Sequence, residues 1–185
     1  MIGMLKVAAA VLALCAVVAG QDLPPNQLRQ GSGGQESGSH ETKDTKHLTA
    51  TASATPAAVA PGKKVTLAID VTPKPKMHVY SPGQEGYIAI ALTLDANPAF
   101  TTAKAKYPAG EKLYMPLLKE TQLVYAKPFR IVQDLTLAST PALRQQAAEG
   151  TPLTIKGMLR YQACDDTLCY LPATIPLAWT VALAK

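Results

Sequence analysis

Apolar and polar residues alternate along most of the chain from residue 65 to the C-terminus. The alternation is clearest in six segments, residues 65–71, 77–80, 87–94, 128–137, 153–161 and 175–183. Apolar side chains at every second position are typical of strands that bury one face in a core. These segments therefore predict strands, and a further short extended piece is expected between Pro98 and Pro108.

Turn-forming residues separate the predicted strands, as at Pro61-Gly62 and at Ser81-Pro82-Gly83. Residues 143–149 form the one segment with a helical pattern, and Gly150 suits the C-terminal end of a helix. About seven or eight short strands in about 130 residues predict an all-β fold, an antiparallel β-sandwich. Because both downstream cysteines are close together and Trp179 follows them, we expect this sandwich to be immunoglobulin-like rather than a true immunoglobulin domain.

The N-terminal third of the chain has a different composition. Lys6 precedes an apolar run over residues 7–18, and small residues follow, which predicts a signal peptide over residues 1–20. Residues 21–55 contain many Gly, Ser, Gln and Thr residues and few large apolar ones, so they predict a flexible, disordered low-complexity linker. The folded domain is then expected over residues 56–185, in a periplasmic or otherwise exported protein.

Composition and charge exclude one class of partner. The chain has 185 residues, of which 48% are hydrophobic and 17% are charged, with a formal net charge of +5. Its basic residues are scattered and lack aromatic interleaving, so nucleic-acid binding is not indicated. We expect a monomer without a cofactor.

The candidate chemistry lies in a pair of cysteines. The chain has three cysteines, and Cys15 falls in the predicted signal peptide, which leaves Cys164 and Cys169 as the one disulfide of an exported protein. A disulfide that closes a six-residue loop stabilises a fold by only ~2 kcal/mol on the chain-entropy model. A bond of small structural value on an exposed turn is a good candidate for reversible exchange. Asp165 and Asp166 are expected to disfavour a thiolate at Cys164.

Two other functions remain open on these residues alone. The first is a secreted β-sandwich binding module in which the Cys164–Cys169 bond is a purely structural hairpin disulfide. The second is a copper-binding module, because Met77, His78 and Met115 supply thioether and imidazole groups of the kind that copper prefers. No metal site is assigned, since nothing in the sequence places these residues next to the cysteines.

The segment from Tyr161 to Asp166, with Cys169 and Pro172 after it, resembles the signature of a known family. It is similar to the N-terminal periplasmic domain of DsbD, the thiol:disulfide interchange protein, and residues 76–83 are similar to an early strand of that domain. The resemblance implies an immunoglobulin-like fold and a role in protein-disulfide reduction. It also implies thioredoxin-fold redox proteins as partners and a membrane electron-transfer protein as a further partner.

The resemblance also implies roles for individual residues. Cys169 would form the mixed disulfide with a partner, and Cys164 would resolve it. A cap loop with acidic and aromatic residues shields the cysteines in that family, and its expected counterpart here includes Glu111 and Tyr114. Four residues flanking the cysteines are candidates for a supporting role, namely Tyr161, Asp165, Asp166 and Tyr170.

One departure from the family concerns the length of the chain. Full-length DsbD continues into transmembrane helices and a thioredoxin-like domain, whereas this chain ends at Lys185. We therefore expect any electron relay to use separate proteins, and the direction of electron flow stays open.

Overall fold

The computed structural model of the protein describes residues 40–116 and 118–185. Its strands are β1 (Glu41–Asp44), β2 (Leu48–Thr55), β3 (Ala58–Val59), β4 (Lys64–Pro73), β5 (His78–Tyr80), β6 (Ala91–Leu94), β7 (Phe100–Thr102), β8 (Glu111–Met115), β9 (Glu120–Tyr125), β10 (Phe129–Leu137), β11 (Leu153–Tyr161), β12 (Ala163–Cys164) and β13 (Ala173–Leu183). The single helix among the described residues, α1 (Pro141–Ala148), precedes β11. The predicted signal peptide and residues 21–39 of the predicted linker lie outside the described residues.

Two sheets enclose the main core. One has five antiparallel strands in the order β1-β2-β4-β10-β7, and the other has four in the order β3-β13-β11-β6, with β3 parallel to β13. Alternate apolar residues of β4, β10, β11 and β13 are buried. Trp179 is fully buried, and its indole N–H donates to the carbonyl of Ala68 in the other sheet at 3.3 Å. The predicted immunoglobulin-like antiparallel sandwich is confirmed.

A third, smaller sheet carries the cysteines. It has the strand order β12-β5-β9-β8 and is antiparallel throughout. Tyr80, Val124 and Cys164 form a second buried cluster on it, with Cys169 packed against them. The two cysteines therefore lie on a small apolar cluster separate from the main core.

The expectation of a flexible linker up to residue 55 is wrong for residues 41–55. Strand β1 pairs with β2, and β2 pairs with β4 along its whole length, from Leu48 opposite Pro73 to Thr55 opposite Thr66. Alternate residues of β2 are buried in the main core, namely Leu48, Ala50, Ala52 and Ala54. The small size of the three alanines hid this period-two pattern, because alanine in a Thr-rich stretch resembles a low-complexity tract. The folded domain therefore begins before residue 56.

Two other elements differ from the sequence prediction. The predicted strand over residues 87–94 is a strand only at Ala91–Leu94. Before it, the backbone N–H of Ile88 donates to the Gln162 side chain, and that of Ile90 donates to the carbonyl of Tyr80 in β5. The hairpin of β8 and β9 was not predicted. The main strands β4, β10, β11 and β13 are confirmed within two residues of their expected bounds.

The predicted helical segment is α1. Thr140 caps its N-terminus by accepting a hydrogen bond from the Leu143 N–H, and Gly150 follows its C-terminal end with a φ of +71°. Leu143 and Ala147 face the core. Within the described part of the chain, no helix is long and apolar enough to cross a membrane.

Candidate redox-active disulfide site

Strand β12 brings the two cysteines together. It pairs with β5, so that Cys164 lies opposite His78, and an isolated bridge joins the backbones of Cys164 and Cys169. The two side chains form a disulfide with a Cα–Cα distance of 4.1 Å. A short hairpin-like turn with facing ends is the local reason why these cysteines meet.

The two sulfur-bearing residues differ in exposure. Cys164 is fully buried, whereas Cys169 is half-buried and lines an open cavity of about 290 Å³. The other lining residues are Tyr87, Met115, Leu118 and the loop residues 165–168. Leu118 is 50% exposed and Leu168 is 55% exposed, so the surface around Cys169 is largely apolar.

The hydroxyl of Tyr80 contacts both sulfur atoms. It lies 3.0 Å from Sγ of Cys164 and 3.2 Å from Sγ of Cys169, and the residue is fully buried. Burial, reinforced by nearby Tyr87 and Glu120, raises the pKa of Tyr80 far above its ordinary value. The phenol therefore keeps its proton and is available as a donor to sulfur. Tyr80 was not predicted as a site residue, because nothing in the sequence shows that β5 pairs with β12.

A polar network extends from Tyr80 to the surface. The Tyr80 ring stacks on Tyr87 with 4.3 Å between ring centroids. The Tyr87 hydroxyl donates to Oε1 of Glu120 at 2.5 Å, and Nε2 of Gln122 donates to the same oxygen at 2.6 Å. These two hydrogen bonds lower the pKa of Glu120, which is exposed.

Asp165 shapes the loop between the cysteines. Its Oδ1 accepts hydrogen bonds from the backbone N–H and the hydroxyl of Thr167 and from the N–H of Leu168, each at 2.8 Å. Its Oδ2 accepts from the Tyr170 hydroxyl at 2.9 Å. These hydrogen bonds lower the pKa of Asp165 far below its usual range. Asp165 thus organises the turn, and the neighbouring Asp166 is exposed at the rim of the cavity.

The N-terminal strands support the same loop from behind. Tyr161 is buried, and its hydroxyl lies 3.2 Å from the Thr45 hydroxyl and 3.4 Å from Nδ1 of His47. The His47 ring also packs against Tyr170 at 4.5 Å between centroids. Tyr161 and Tyr170, both predicted as supporting residues, therefore tie the cysteine loop to the connection between β1 and β2.

The segment predicted to cap the cysteines lies in strand β8 of the β8–β9 hairpin. Glu111, at the start of β8, accepts hydrogen bonds from the Ala126 N–H and from Lys127 Nζ, which together lower its pKa. Tyr114 is 58% exposed. Neither of these predicted cap residues lines the cavity beside Cys169, whereas Met115 and Leu118 do.

The candidate copper ligands are only partly brought together. His78 lies opposite Cys164 and is 2% exposed, and its Nε2 has no hydrogen-bond partner among the described residues. Burial lowers the pKa of His78, against the opposing effect of Asp166 and Asp165. The described residues contain no group of three or more His, Cys, Asp or Glu side chains that could hold a metal ion.

Comparisons with known proteins bear on this site. Residues 45–177 match the family described as "Thiol:disulfide interchange protein DsbD, N-terminal". The fold is similar to the crystal structure of the N-terminal periplasmic domain of ScsB from Proteus mirabilis, with a TM-score of 0.54 and 14% sequence identity. That alignment covers 80% of this chain and 54% of the ScsB chain, so it spans about half of the longer structure. A search of curated proteins found no match. Since the family match spans most of the chain and includes both cysteines, the protein belongs to the family of DsbD N-terminal domains.

Proposed function

We propose that the protein is an exported thiol–disulfide exchange module whose Cys164–Cys169 pair passes electrons to or from thioredoxin-fold proteins. The observation that carries this proposal is the unequal exposure of the two sulfurs. Cys169 opens onto an apolar cavity, whereas Cys164 is buried behind it. A structural disulfide has no need of such an opening.

Cys169 is the sulfur that contacts the partner. Thiol–disulfide exchange requires a thiolate to approach one sulfur directly, so access decides which sulfur is attacked. Attack on Cys169 expels Cys164 as a thiolate, and the Tyr80 hydroxyl 3.0 Å away can donate a hydrogen bond to the sulfur that carries the new charge. The buried Cys164 is then positioned to resolve the mixed disulfide.

The surface around Cys169 suits a protein partner. Leu118 and Leu168 are half exposed beside the cavity, and Tyr87 forms part of its wall. Exposed apolar groups around a reactive atom typically mark a contact site for another protein. Thioredoxin-fold proteins fit this surface because their own active cysteine lies at an exposed helix N-terminus. A membrane electron-transfer protein is the proposed source or acceptor of electrons on the other side of the exchange.

A trapping experiment with two matched single-cysteine variants tests this proposal. The probe is a thioredoxin-fold protein with its resolving cysteine replaced and its remaining cysteine carrying a nitrobenzoate leaving group. Cys164→Ala leaves Cys169 free, and this variant should form the mixed disulfide rapidly, as followed by release of the coloured thiolate and by mass. Cys169→Ala leaves only the buried Cys164, which should react at least about tenfold more slowly because access governs exchange rates.

Two other outcomes of the trapping experiment would contradict the proposal. Faster trapping by the Cys169→Ala variant would reverse the two roles. If neither folded variant forms an adduct, the Cys164–Cys169 bond is structural and the exchange function is refuted.

A further inference from the structure

We propose that the exchange site selects its partner by charge, reacting faster with a sulfur flanked by Lys or Arg than with one flanked by carboxylates. The inference deepens the proposed function and rests on it. The partner segment that fits the site carries an apolar side chain and a basic side chain next to its reactive cysteine. Asp166, at the rim of the cavity beside Cys169, is the residue that determines this preference.

The charged side chains that line the cavity beside Cys169 are both negative. Among the described residues of its wall, Asp165 and Asp166 carry charge and the others are neutral. None of the ion pairs between described residues includes either of these carboxylates. The local charge is therefore opposite in sign to the net charge of the whole chain, which is +5.

The two carboxylates have different tasks. Asp165 accepts the hydrogen bonds that hold the turn, whereas Asp166 is exposed on the same turn. The charge of Asp166 also reaches the strands of the cysteine site. Burial lowers the pKa of His78, which lies opposite Cys164, and the charge of Asp166 acts against this lowering. Asp166 is therefore the charge that a docking partner meets at the rim.

Other charges of the chain do not reverse this local sign. Lys119 and Glu120 follow Leu118 in the β8–β9 hairpin, and both are exposed. Adjacent unit charges of opposite sign largely cancel for a group that lies beyond both of them. Charges more than about 10 Å from the cavity are screened at an ionic strength of about 0.1 M. The net positive charge of the chain is thus outweighed at the cavity by the two aspartates.

The exchange chemistry explains why a partner needs positive charge here. The attacking sulfur is a thiolate, so it approaches Cys169 against the repulsion of two negative charges. A basic side chain beside the partner sulfur offsets this repulsion by interacting with Asp166. The partial positive charge of a helix N-terminus, where thioredoxin-fold proteins carry their reactive cysteine, acts in the same direction. Leu118 and Leu168, both half exposed, provide the contact for the apolar side chain.

Three pyridyl disulfides that differ in the charge of one arm test this selection on the reduced protein. The arms are aminoethyl, hydroxyethyl and carboxyethyl groups, which are positive, neutral and negative at neutral pH. Cys169 attacks the sulfur of the arm and expels pyridinethione, whose absorbance reports the rate. Because the leaving group is the same for all three probes, its pKa does not contribute to the comparison. The protein is kept in excess, so that each probe molecule releases one pyridinethione.

The reaction balances in two steps. The Cys169 thiolate first forms a mixed disulfide with the arm, and pyridinethione leaves. Cys164 then attacks Sγ of Cys169, the bond from Cys169 to the arm breaks, and the arm leaves as a thiol. The two protons of the cysteine thiols pass through solvent to the two leaving groups. The chain loses two electrons, and the disulfide bond of the probe gains them.

The measured quantity is the ratio of the rate constants for the positive and the negative probe. A carboxylate about 6 Å from the charge of the arm changes this ratio about tenfold in water, because attraction of one probe becomes repulsion of the other. Asp166→Asn should therefore lower the ratio about tenfold, and Asp166→Lys should lower it about 100-fold. In the wild type, the ratio should also fall as the ionic strength rises from about 0.01 M to about 1 M.

A charge-matched variant and the neutral probe are the controls. Glu149→Gln changes the net charge by the same amount as Asp166→Asn. Glu149 precedes β11, whereas the cysteines follow the other end of this nine-residue strand, a distance of about 30 Å. Glu149→Gln should therefore leave the ratio within about twofold of the wild type. The neutral probe should react with all variants at rates within about threefold, because it carries no charge for Asp166 to attract or repel.

Three outcomes would contradict the inference or the function on which it rests. Equal ratios in the wild type and both Asp166 variants would overturn selection by charge while leaving the exchange function intact. If the substitutions change the rates of all three probes by the same factor, Asp166 acts on the reactivity of Cys169 and not on the partner, which also overturns the inference. A wild-type protein that keeps the arm bound, as measured by mass, would refute the exchange function itself.

Discussion

Leu48→Ala should destabilise the whole domain, although the composition around this residue predicts a flexible linker. Leu48 begins β2, lies opposite Pro73 of β4 and is completely buried in the main core. Its neighbours on the same face of β2 are Ala50, Ala52 and Ala54, which are too small to fill the space that its side chain leaves. The cavity would therefore persist.

The expected loss of stability follows from the burial. Truncation of a fully buried leucine costs about 3 kcal/mol, counting both the lost transfer free energy and the cavity. For a domain of this size that corresponds to a fall of about 6–12 °C in the melting temperature. Removing all residues before Pro56 should do far more, because β4 would lose the whole of its pairing with β2.

Thermal and urea unfolding followed by circular dichroism measure the effect. Leu171→Ala is the matched control, since Leu171 is 88% exposed and the same truncation there should change stability by less than about 0.5 kcal/mol. Equal melting temperatures for Leu48→Ala and the wild type would refute the placement of β2 in the core. That result would support the alternative that the folded domain begins near residue 56.

Two further predictions concern the packing beside the third sheet and the cysteine loop. Gly110→Ala should lower the free energy of unfolding by about 1–3 kcal/mol through overpacking, because a Cβ there would lie 2.1 Å from Oγ of the buried Ser81. Adding Ser81→Gly to this variant should restore part of the lost stability, as measured by thermal unfolding. The pKa of Asp165 is lowered in the folded protein, so its support of the cysteine loop is fully present above its ordinary value of 3.8 and is lost as the pH falls towards the folded value. The protection of the Thr167 and Leu168 amides from hydrogen exchange, relative to an unfolded peptide at the same pH, should therefore stay high at pH 5 and fall only in stronger acid. Asp165→Ala should abolish this protection at all pH values.

The strands of the main core were predictable because their buried faces repeat with period two over nine or more residues. Leu153–Tyr161 alternates without interruption between buried and exposed positions, and its observed bounds equal the predicted ones. β2 was missed because alanines carry its buried face, and alanine signals neither a core nor a linker strongly. Hydrophobic pattern thus predicts a strand only when its buried side chains are large.

The site was predictable only where its residues are adjacent in sequence. The Cys164–Cys169 pair follows from a spacing of five residues. Tyr80 lies 84 residues before Cys164, and its contact with both sulfurs depends on the pairing of β5 with β12. The pairing of two strands so far apart along the chain cannot be predicted from the local pattern of a single sequence. The resemblance assigned the cap to Glu111 and Tyr114 of β8, whereas the residues of the β8–β9 hairpin that line the cavity beside Cys169 are Met115 and Leu118.

The reduction potential of the Cys164–Cys169 disulfide tests the central claim most directly. It is measured by equilibrating the protein with graded ratios of reduced and oxidised dithiol buffer and quantifying free thiol. The short loop and the only half-buried Cys169 predict a potential above about −300 mV, in the range of disulfides that exchange in solution. A potential well below that value would mark a structural bond and contradict the proposed exchange function.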